Sequence, residues 1–139
     1  MSKTVKDVMT RTPVSLRSDS TVAAAARTMR DEDIGPVVLV DENRITGIVT
    51  DRDIVVRVVA KGMDPATTLL GAIASEELTT LEPSTPIDAA VSLMKEKAVR
   101  RLPVVEDGRP IGIVSLGDLA IDRDPKSALA DISQARPNR

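Results

Sequence analysis

Residues 47–53 read Gly-Ile-Val-Thr-Asp-Arg-Asp, and residues 112–118 read Gly-Ile-Val-Ser-Leu-Gly-Asp. A shift of 65 residues superimposes these two stretches, and the same shift carries Met29 onto Met94 without any gap between them. Unrelated segments would not keep one register over such a length. The chain therefore contains an internal duplication, and its fold follows from the unit that is repeated.

Each repeat shows the same succession of local patterns. A short amphipathic start and an extended segment precede a helix whose apolar residues recur at helical spacing. Two short strands joined by a tight turn and then a second helix complete the repeat. The predicted helices span residues 22–31 and 51–61 in the first repeat, and 87–97 and 116–123 in the second.

This succession predicts an α/β (α+β) chain of two tandem β-α-β-β-α repeats. The predicted boundaries are residues 4–62 for the first repeat and residues 63–123 for the second. Residues 124–139 contain two prolines and many small or charged side chains, which is typical of a flexible C-terminal tail.

Length and composition restrict the class of protein. The 139 residues are 42% hydrophobic, enough for a packed core, and include no Cys, His, Trp, Tyr or Phe. Disulfides, thiolate or imidazole metal sites, and Cys or His catalysis are therefore excluded. A net charge of −2 and the lack of aromatic side chains argue against a nucleic acid partner. The polar start and the lack of an apolar run of roughly 20 residues predict a cytoplasmic protein without a membrane partner.

The two heptapeptides place a hydroxyl and an acid at each predicted junction between a strand and a helix: Thr50 with Asp53, and Ser115 with Asp118. Free N–H groups and the helix dipole at such a junction favour an anion such as phosphate. The acid, three residues after the hydroxyl, can accept hydrogen bonds from a ribose diol. The pattern thus suits a nucleoside or nucleoside phosphate. It is also the spacing of a capping box, which needs no ligand, and the two roles are compatible.

These features resemble the CBS domain, the small regulatory repeat first noted in cystathionine β-synthase. The family pattern is Gly, two apolar residues, Thr or Ser, two variable residues and Asp, and it occurs twice here. Val5–Met9 and Arg100–Val105 resemble further features of the family, and the resemblance covers residues 4–123. It implies two repeats packed with pseudo-twofold symmetry in a disc-like homodimer. It also implies a non-catalytic regulatory or sensor function.

The resemblance also implies which ligands bind and where. Family members bind adenine nucleotides or S-adenosyl ligands in clefts between the repeats. AMP, ADP, ATP or S-adenosylmethionine are therefore expected as regulatory ligands, and no cofactor is required. By position in the family pattern, Thr50 and Ser115 would contact phosphate, and Asp53 and Asp118 would contact the ribose hydroxyls.

Arginines would make the two clefts unequal. On the same resemblance, Arg100 and Arg101 would join Arg52 at the cleft of Thr50 and Asp53, which we expect to be the better phosphate site. Solvated arginines are the alternative interpretation. Without aromatic side chains, a purine would lie between aliphatic side chains, each of which is also a reasonable core residue. The remaining expected ligand-binding residues are Val14, Ile34, Gly35, Pro36, Val37, Leu78, Val99 and Leu102.

One apolar run points to a further contact. Ile54–Val59 is nearly continuous in apolar residues, so the helix that contains it should be covered on two sides. Burial between the repeats and a subunit interface both explain the run, and a homodimer through helices including it is expected. The alternative function is a ligand-free interaction or stress-response scaffold for an unidentified protein partner. Catalysis by Asp51 and Asp53 is not expected, because Arg52 separates them and no nucleophile accompanies them.

Overall fold

The structure is a computed structural model and describes residues 3–74, 77–124 and 126–134. Its mixture of helices and short strands confirms the predicted α+β class. The elements in chain order are α1 (Val5–Val8), β1 (Thr10–Arg11), β2 (Ser15–Leu16), α2 (Val22–Glu32), β3 (Pro36–Asp41), β4 (Arg44–Thr50), α3 (Asp51–Ile54), the π-helical segment Val55–Val59, α4 (Leu70–Ile73), α5 (Ile87–Lys97), β5 (Arg101–Glu106), β6 (Arg109–Ser115), α6 (Leu116–Arg123) and α7 (Ala128–Gln134).

The chain divides into two compact units whose limits differ from the repeat boundaries read from the sequence. The first unit comprises residues 13–78, and the second comprises residues 1–12 together with residues 79–139. Helix α1 comes from the first repeat but packs in the second unit, where Val5 is fully buried. Helix α4 comes from the second repeat but packs in the first unit, where Leu70 is fully buried. Each repeat therefore supplies its leading helix to the unit that holds the rest of the other repeat.

A three-stranded sheet organises the first unit. The strand order is β2-β3-β4, with β2 parallel and β4 antiparallel to the central β3. Helix α2 begins after Thr21, whose hydroxyl caps it by accepting a hydrogen bond from the Ala24 N–H at 3.1 Å. The sheet, α2, the π-helical segment and α4 enclose one apolar core. Its buried members are Val22, Ala25, Met29, Val37, Leu39, Val49, Val58, Leu70 and Ile73.

The second unit has a sheet of order β1-β6-β5, in which every neighbouring pair is antiparallel. The counterpart of β2 is reduced to a parallel bridge between Leu81 and Val104, which the 65-residue shift relates to the pairing of Leu16 with Leu39. The core again lies between sheet and helices. Its buried members are Val5, Met9, Leu81, Ile87, Ala90, Met94, Leu102, Val104, Val114 and Leu119.

The duplication extends to backbone details. The hairpins turn at Glu42-Asn43 and at Asp107-Gly108, and all four residues have positive φ, as a two-residue type I′ turn requires. Helices α2 and α5 both end on a left-handed residue, Asp33 and Ala98, with φ of 54° in each case. The predicted hairpins and the duplication are therefore confirmed at the level of single dihedral angles.

The helices differ from the sequence-based predictions at three places. The pattern Ser84-Thr85-Pro86 predicts a hydroxyl cap and an N-terminal proline for α5, but the N-cap is Pro86 itself, and the Thr85 hydroxyl instead accepts a hydrogen bond from the Glu82 N–H at 3.1 Å. Within the predicted tail, the structure places α7 with Ala130 fully buried, whereas residues 135–139 lie outside the described residues. The predicted helix 51–61 is α-helical only at its start and continues as the π-helical segment. None of the helices in the described ranges combines the length and apolarity needed to cross a bilayer.

Candidate functional site

The candidate site occurs twice, once in each unit, where the last strand of a hairpin passes directly into a helix. We call the stretch Thr50–Asp53 the first junction and the stretch Ser115–Asp118 the second junction. In both, the hydroxyl residue has extended backbone and is the N-cap of the following helix. Because the hydroxyl residue ends the strand, the sheet holds its backbone. The acid lies on the first turn of the helix, facing back to the cap.

Each junction forms the capping box that its spacing predicts. At the first junction the Asp53 N–H donates to Thr50 Oγ1 at 3.2 Å, and the Thr50 N–H donates to Asp53 Oδ2 at 2.9 Å. At the second junction the corresponding distances are 3.1 Å to Ser115 Oγ and 2.9 Å to Asp118 Oδ2. The cap uses the hydroxyl as an acceptor and one oxygen of the acid. It leaves the O–H proton and the second carboxylate oxygen for other partners.

Backbone carbonyls of the residues just before β3 and β5 hold the junctions in place. The Asp51 N–H donates to the Gly35 carbonyl at 2.9 Å, and the Leu116 N–H donates to the Arg100 carbonyl at 2.8 Å. Gly35 and Arg100 are counterparts under the 65-residue shift. Both residues are among those predicted from the sequence to bind ligand. The contact that the structure gives them is a backbone hydrogen bond that positions the first turn of the helix.

Charge distinguishes the two junctions. At the first, the Arg52 N–H donates to Asp51 Oδ1 at 2.9 Å, so the side chain of Asp51 lies at the start of the helix. Arg57 approaches Asp53 Oδ1 with its Nε at 3.8 Å and donates from its terminal nitrogen to the Ile73 carbonyl at 3.1 Å. The counterparts of Asp51 and Arg52 at the second junction are Leu116 and Gly117. At the two positions between the hydroxyl and the acid, the first junction therefore has charged side chains, whereas the second has a leucine and a glycine.

The contact of Arg57 with Asp53 was not predicted from the sequence, although an acid and an arginine four residues apart on a predicted helix are a recognisable pair. The Arg57 side chain is 42% exposed and that of Asp53 is 20% exposed. At 3.8 Å this contact is a loose ion pair that a ligand hydroxyl can displace. Asp53 thus has one oxygen firmly in the cap and one oxygen in a replaceable contact.

The other predicted ligand-binding residues differ in accessibility. Val37 and Leu102 are buried core residues, in agreement with the alternative interpretation of these side chains. Among the partly buried residues, Val14 and Ile34 pack against the core of the first unit. Gly35, Pro36, Leu78 and Arg101 are also partly buried, whereas Arg52, Val99 and Arg100 are exposed. The convergence of Arg100 and Arg101 with the first junction involves different units and stays a prediction.

Two surface hollows formed by described residues lie away from the junctions. One hollow, of about 610 Å³, lies at the start of α4 in the first unit, and its lining includes Ser18, Met63 and Thr68. Another of about 410 Å³ in the second unit is bordered by the ion pair of Lys3 with Asp122. Neither is lined by a hydroxyl or acid of a junction. Among the described residues no cluster of three or more potential metal ligands is found.

Comparison with known proteins decides the family. The sequence model of the CBS domain matches residues 5–60 and again residues 70–121. The chain belongs to the CBS-domain family. The similar protein YhcV of Bacillus subtilis (strain 168), a CBS domain-containing protein, is 35% identical over 133 residues, which cover 93% of this chain and 94% of YhcV.

Two solved CBS structures add information about the family. The CBS domain pair of protein MJ0100, in complex with 5′-methylthioadenosine and S-adenosyl-L-methionine, has a TM-score of 0.81 at 25% identity. The matched region covers 91% of this chain and 100% of the MJ0100 chain. The hexameric CBS-CP12 protein from bloom-forming cyanobacteria has a TM-score of 0.79 at 27% identity, covering 100% of this chain and 78% of that chain. This chain is accordingly a tandem CBS pair.

Proposed function

We propose that this CBS pair is a non-catalytic regulatory module of the cytoplasm that binds an adenosine-containing ligand at its strand-to-helix junctions. AMP, ADP, ATP and S-adenosylmethionine are the candidate ligands. The observation that carries the proposal is the junction itself, built twice with the same hydroxyl, the same acid and matching hydrogen bonds. The adenosine derivatives bound by the similar MJ0100 pair support the choice of ligand class.

The geometry is compatible with simultaneous capping and binding. The Thr50 hydroxyl accepts from the Asp53 N–H, so its own proton can be donated to a phosphate oxygen. Asp53 Oδ2 is held by the Thr50 N–H, whereas Oδ1 faces only the loose contact with Arg57. A ribose hydroxyl can replace that contact without breaking the cap. Ser115 and Asp118 offer the same pair of groups at the second junction.

We expect the first junction to be the better phosphate site. The exposed side chain of Arg52 is available for a phosphate there, and Gly117 offers no charge at the corresponding position. The carboxylate of Asp51 opposes this preference, because it already accepts from the Arg52 N–H. A guanidinium binds phosphate through charge and paired hydrogen bonds, so we give Arg52 the greater weight.

Calorimetric titration of the full chain with AMP, ADP, ATP and S-adenosylmethionine tests the function. Asp53→Ala should weaken binding more than Asp118→Ala, and Asp31→Ala is the matched control, since Asp31 is an exposed acid that pairs with Arg30 and is not part of either capping box. A ligand at 100 times its Kd should stabilise the fold by about 2.7 kcal/mol, visible as a rise in Tm. Binding of none of the four ligands overturns the proposal. Equal losses from the two junction variants overturn the preference for the first junction.

The absence of catalysis is also proposed. Asp53 holds its helix cap with one oxygen and pairs loosely with Arg57 through the other, and the sequence has no His or Cys to act with it in catalysis. Asp51 is exposed and accepts a hydrogen bond from the next residue's N–H. Incubation with each nucleotide should therefore give no product. Turnover that Asp53→Ala abolishes would contradict this.

A homodimer through the π-helical segment is our proposal for the oligomeric state. Val58 of this segment is buried in the core of the first unit, whereas Val55, Val56 and Val59 are 58%, 45% and 63% exposed. Three valines exposed close together on one helix form an apolar surface that can bind a partner, and a second copy is the simplest occupant. The same surface supports the alternative function, an interaction scaffold without ligand.

Sedimentation velocity distinguishes these uses of the valines. Val56→Asp should convert a dimer into a monomer, whereas Ile132→Asp, at an exposed apolar residue of α7, should leave the dimer intact. A chain that is monomeric at all concentrations would overturn the dimer. If it also fails to bind any of the four adenosine ligands, the scaffold function is favoured.

A further inference from the structure

Helix α7 packs back along α6 in the second unit. After α6 ends at Arg123 the chain reverses, and the Ser127 hydroxyl accepts a hydrogen bond from the Ala130 N–H at 3.0 Å, which starts α7. Ala130 is fully buried. Near the other end of α7, Ser133 lies beside Gly117, in the first turn of α6. The two helices are therefore antiparallel, and the C-terminal end of α7 lies at the N-terminal end of α6.

This contact takes place at the second junction. A Cβ atom added to Gly117 would lie 2.9 Å from the Ser133 Cβ, closer than two such atoms can approach, and would also collide with Ser133 Oγ. The same point is 3.6 Å from Ser115 Oγ, the hydroxyl expected to contact a ligand. Ser133 thus occupies space directly beside the group that a phosphate would have to reach.

The dipole of α7 also disfavours an anion at the second junction. The C-terminal end of a helix exposes carbonyl oxygens and carries the negative end of its dipole. The last turn of α7 contains no basic side chain to offset this. An anionic group that approaches the N-terminus of α6 therefore meets both a steric obstacle and an unfavourable dipole.

The first junction is different at the same positions. The counterpart of Gly117 is Arg52, whose side chain is exposed. The duplicated junctions are therefore unequal in access, since the second is covered by a helix that follows only the second repeat.

We propose that α7 is an autoinhibitory cover of the second junction, so that the junction accepts a phosphate-bearing adenosine ligand only when α7 is displaced. This rests on the proposed function of the junctions. Among the described side chains of α7, Ala130 is fully buried, whereas Leu129 and Ile132 are 42% and 71% exposed, so the cover is held lightly. A helix with so little buried surface opens at low cost compared with global unfolding.

Two full-length variants displace α7 by different means. Ala130→Asp places a carboxylate at a fully buried position of α7 and leaves α6 unchanged. Gly117→Ala introduces the Cβ that collides with Ser133, and adding Ser133→Gly removes that collision and should restore the cover. All are made in an Asp53→Ala background, so that AMP binding reports on the second junction.

We expect AMP to bind at least tenfold more tightly to the Ala130→Asp and Gly117→Ala variants than to the Asp53→Ala chain. Adding Ser133→Gly to the Gly117→Ala variant should reverse that variant's gain in affinity. A tenfold gain corresponds to α7 covering the junction in about nine molecules out of ten. Hydrogen exchange at the amides of α7 provides a readout without ligand, and both variants should accelerate it.

Each outcome is decisive. Faster exchange in α7 without tighter AMP binding overturns the cover, because the helix is displaced without consequence. Exchange as fast in the unmodified chain as in both variants also overturns it, since α7 is then not docked. If AMP binds the unmodified chain at the first junction and the variants gain nothing, the cover fails and the proposed function stands. If no chain binds AMP, both fail.

Discussion

Replacing Thr50 by alanine separates the structural and the ligand-binding roles of its hydroxyl. The substitution removes the acceptor of the 3.2 Å hydrogen bond from the Asp53 N–H and keeps the backbone that leads into α3. Loss of an N-cap hydroxyl costs about 1 kcal/mol of folding free energy. For a chain of this size that is a fall in Tm of about 4 °C. Ser115→Ala should cost a similar amount, because its cap has the same geometry at 3.1 Å.

Comparing AMP with adenosine completes the test. If the Thr50 hydroxyl donates to phosphate, Thr50→Ala should weaken AMP binding about tenfold, since a hydrogen bond to a charged group contributes about 1.5 kcal/mol or more. Adenosine binding should hardly change, and Thr50→Ser should restore both Tm and AMP affinity. Thermal unfolding and calorimetry measure the two quantities on the same samples. An equal loss for AMP and adenosine would refute the phosphate contact, and an unchanged Tm would refute the stabilising cap.

Further expected outcomes concern the fold. Leu70→Ala should destabilise the chain by about 2–5 kcal/mol in urea unfolding, because this residue of α4 is fully buried in the first unit. Gly112→Ala should cost about 1–3 kcal/mol, as its Cβ would lie 2.9 Å from a backbone carbonyl oxygen; Gly47→Ala, whose Cβ would approach no atom closer than 3.3 Å, should cost less. The Thr46 hydroxyl holds the pKa of Asp41 below its usual value of 3.8, so Asp41→Asn should be less stable than the parent above pH 4, and the difference should vanish as the pH falls through the pKa of Asp41.

Local features of the fold were predictable from the sequence, because each depends on residues that are neighbours in the chain. The Asp107-Gly108 turn, the Thr21 cap and the bounds of α5 all have local causes. The exchange of α1 and α4 between the units was not predictable. Each is a single helical turn with similar apolar side chains, and periodicity shows which face is buried without showing which sheet covers it. Only long-range packing, as of Val5 against the second core, decides this.

The same division applies to the candidate site. The capping boxes follow from spacing alone and were predicted, whereas the contact of Ser133 with Gly117 was not. Helix α7 binds through small side chains, which leave no amphipathic signal in the sequence. Arg57 could have been found, because its spacing from Asp53 on a helix is that of an ion pair.

The two junctions show how a duplication can keep a scaffold and still separate two functions. The main-chain caps and the hairpins that carry them superimpose under one shift, because the backbone hydrogen bonds and the cores demand the same residue types in both repeats. The two positions between the hydroxyl and the acid are under no such demand, since their side chains belong neither to the cap nor to a core. The first junction uses this freedom for Asp51 and Arg52, which set its charge, and the second uses it for Gly117, which makes room for α7. A ligand that needs both charge and access therefore meets one open junction and one covered junction on the same backbone.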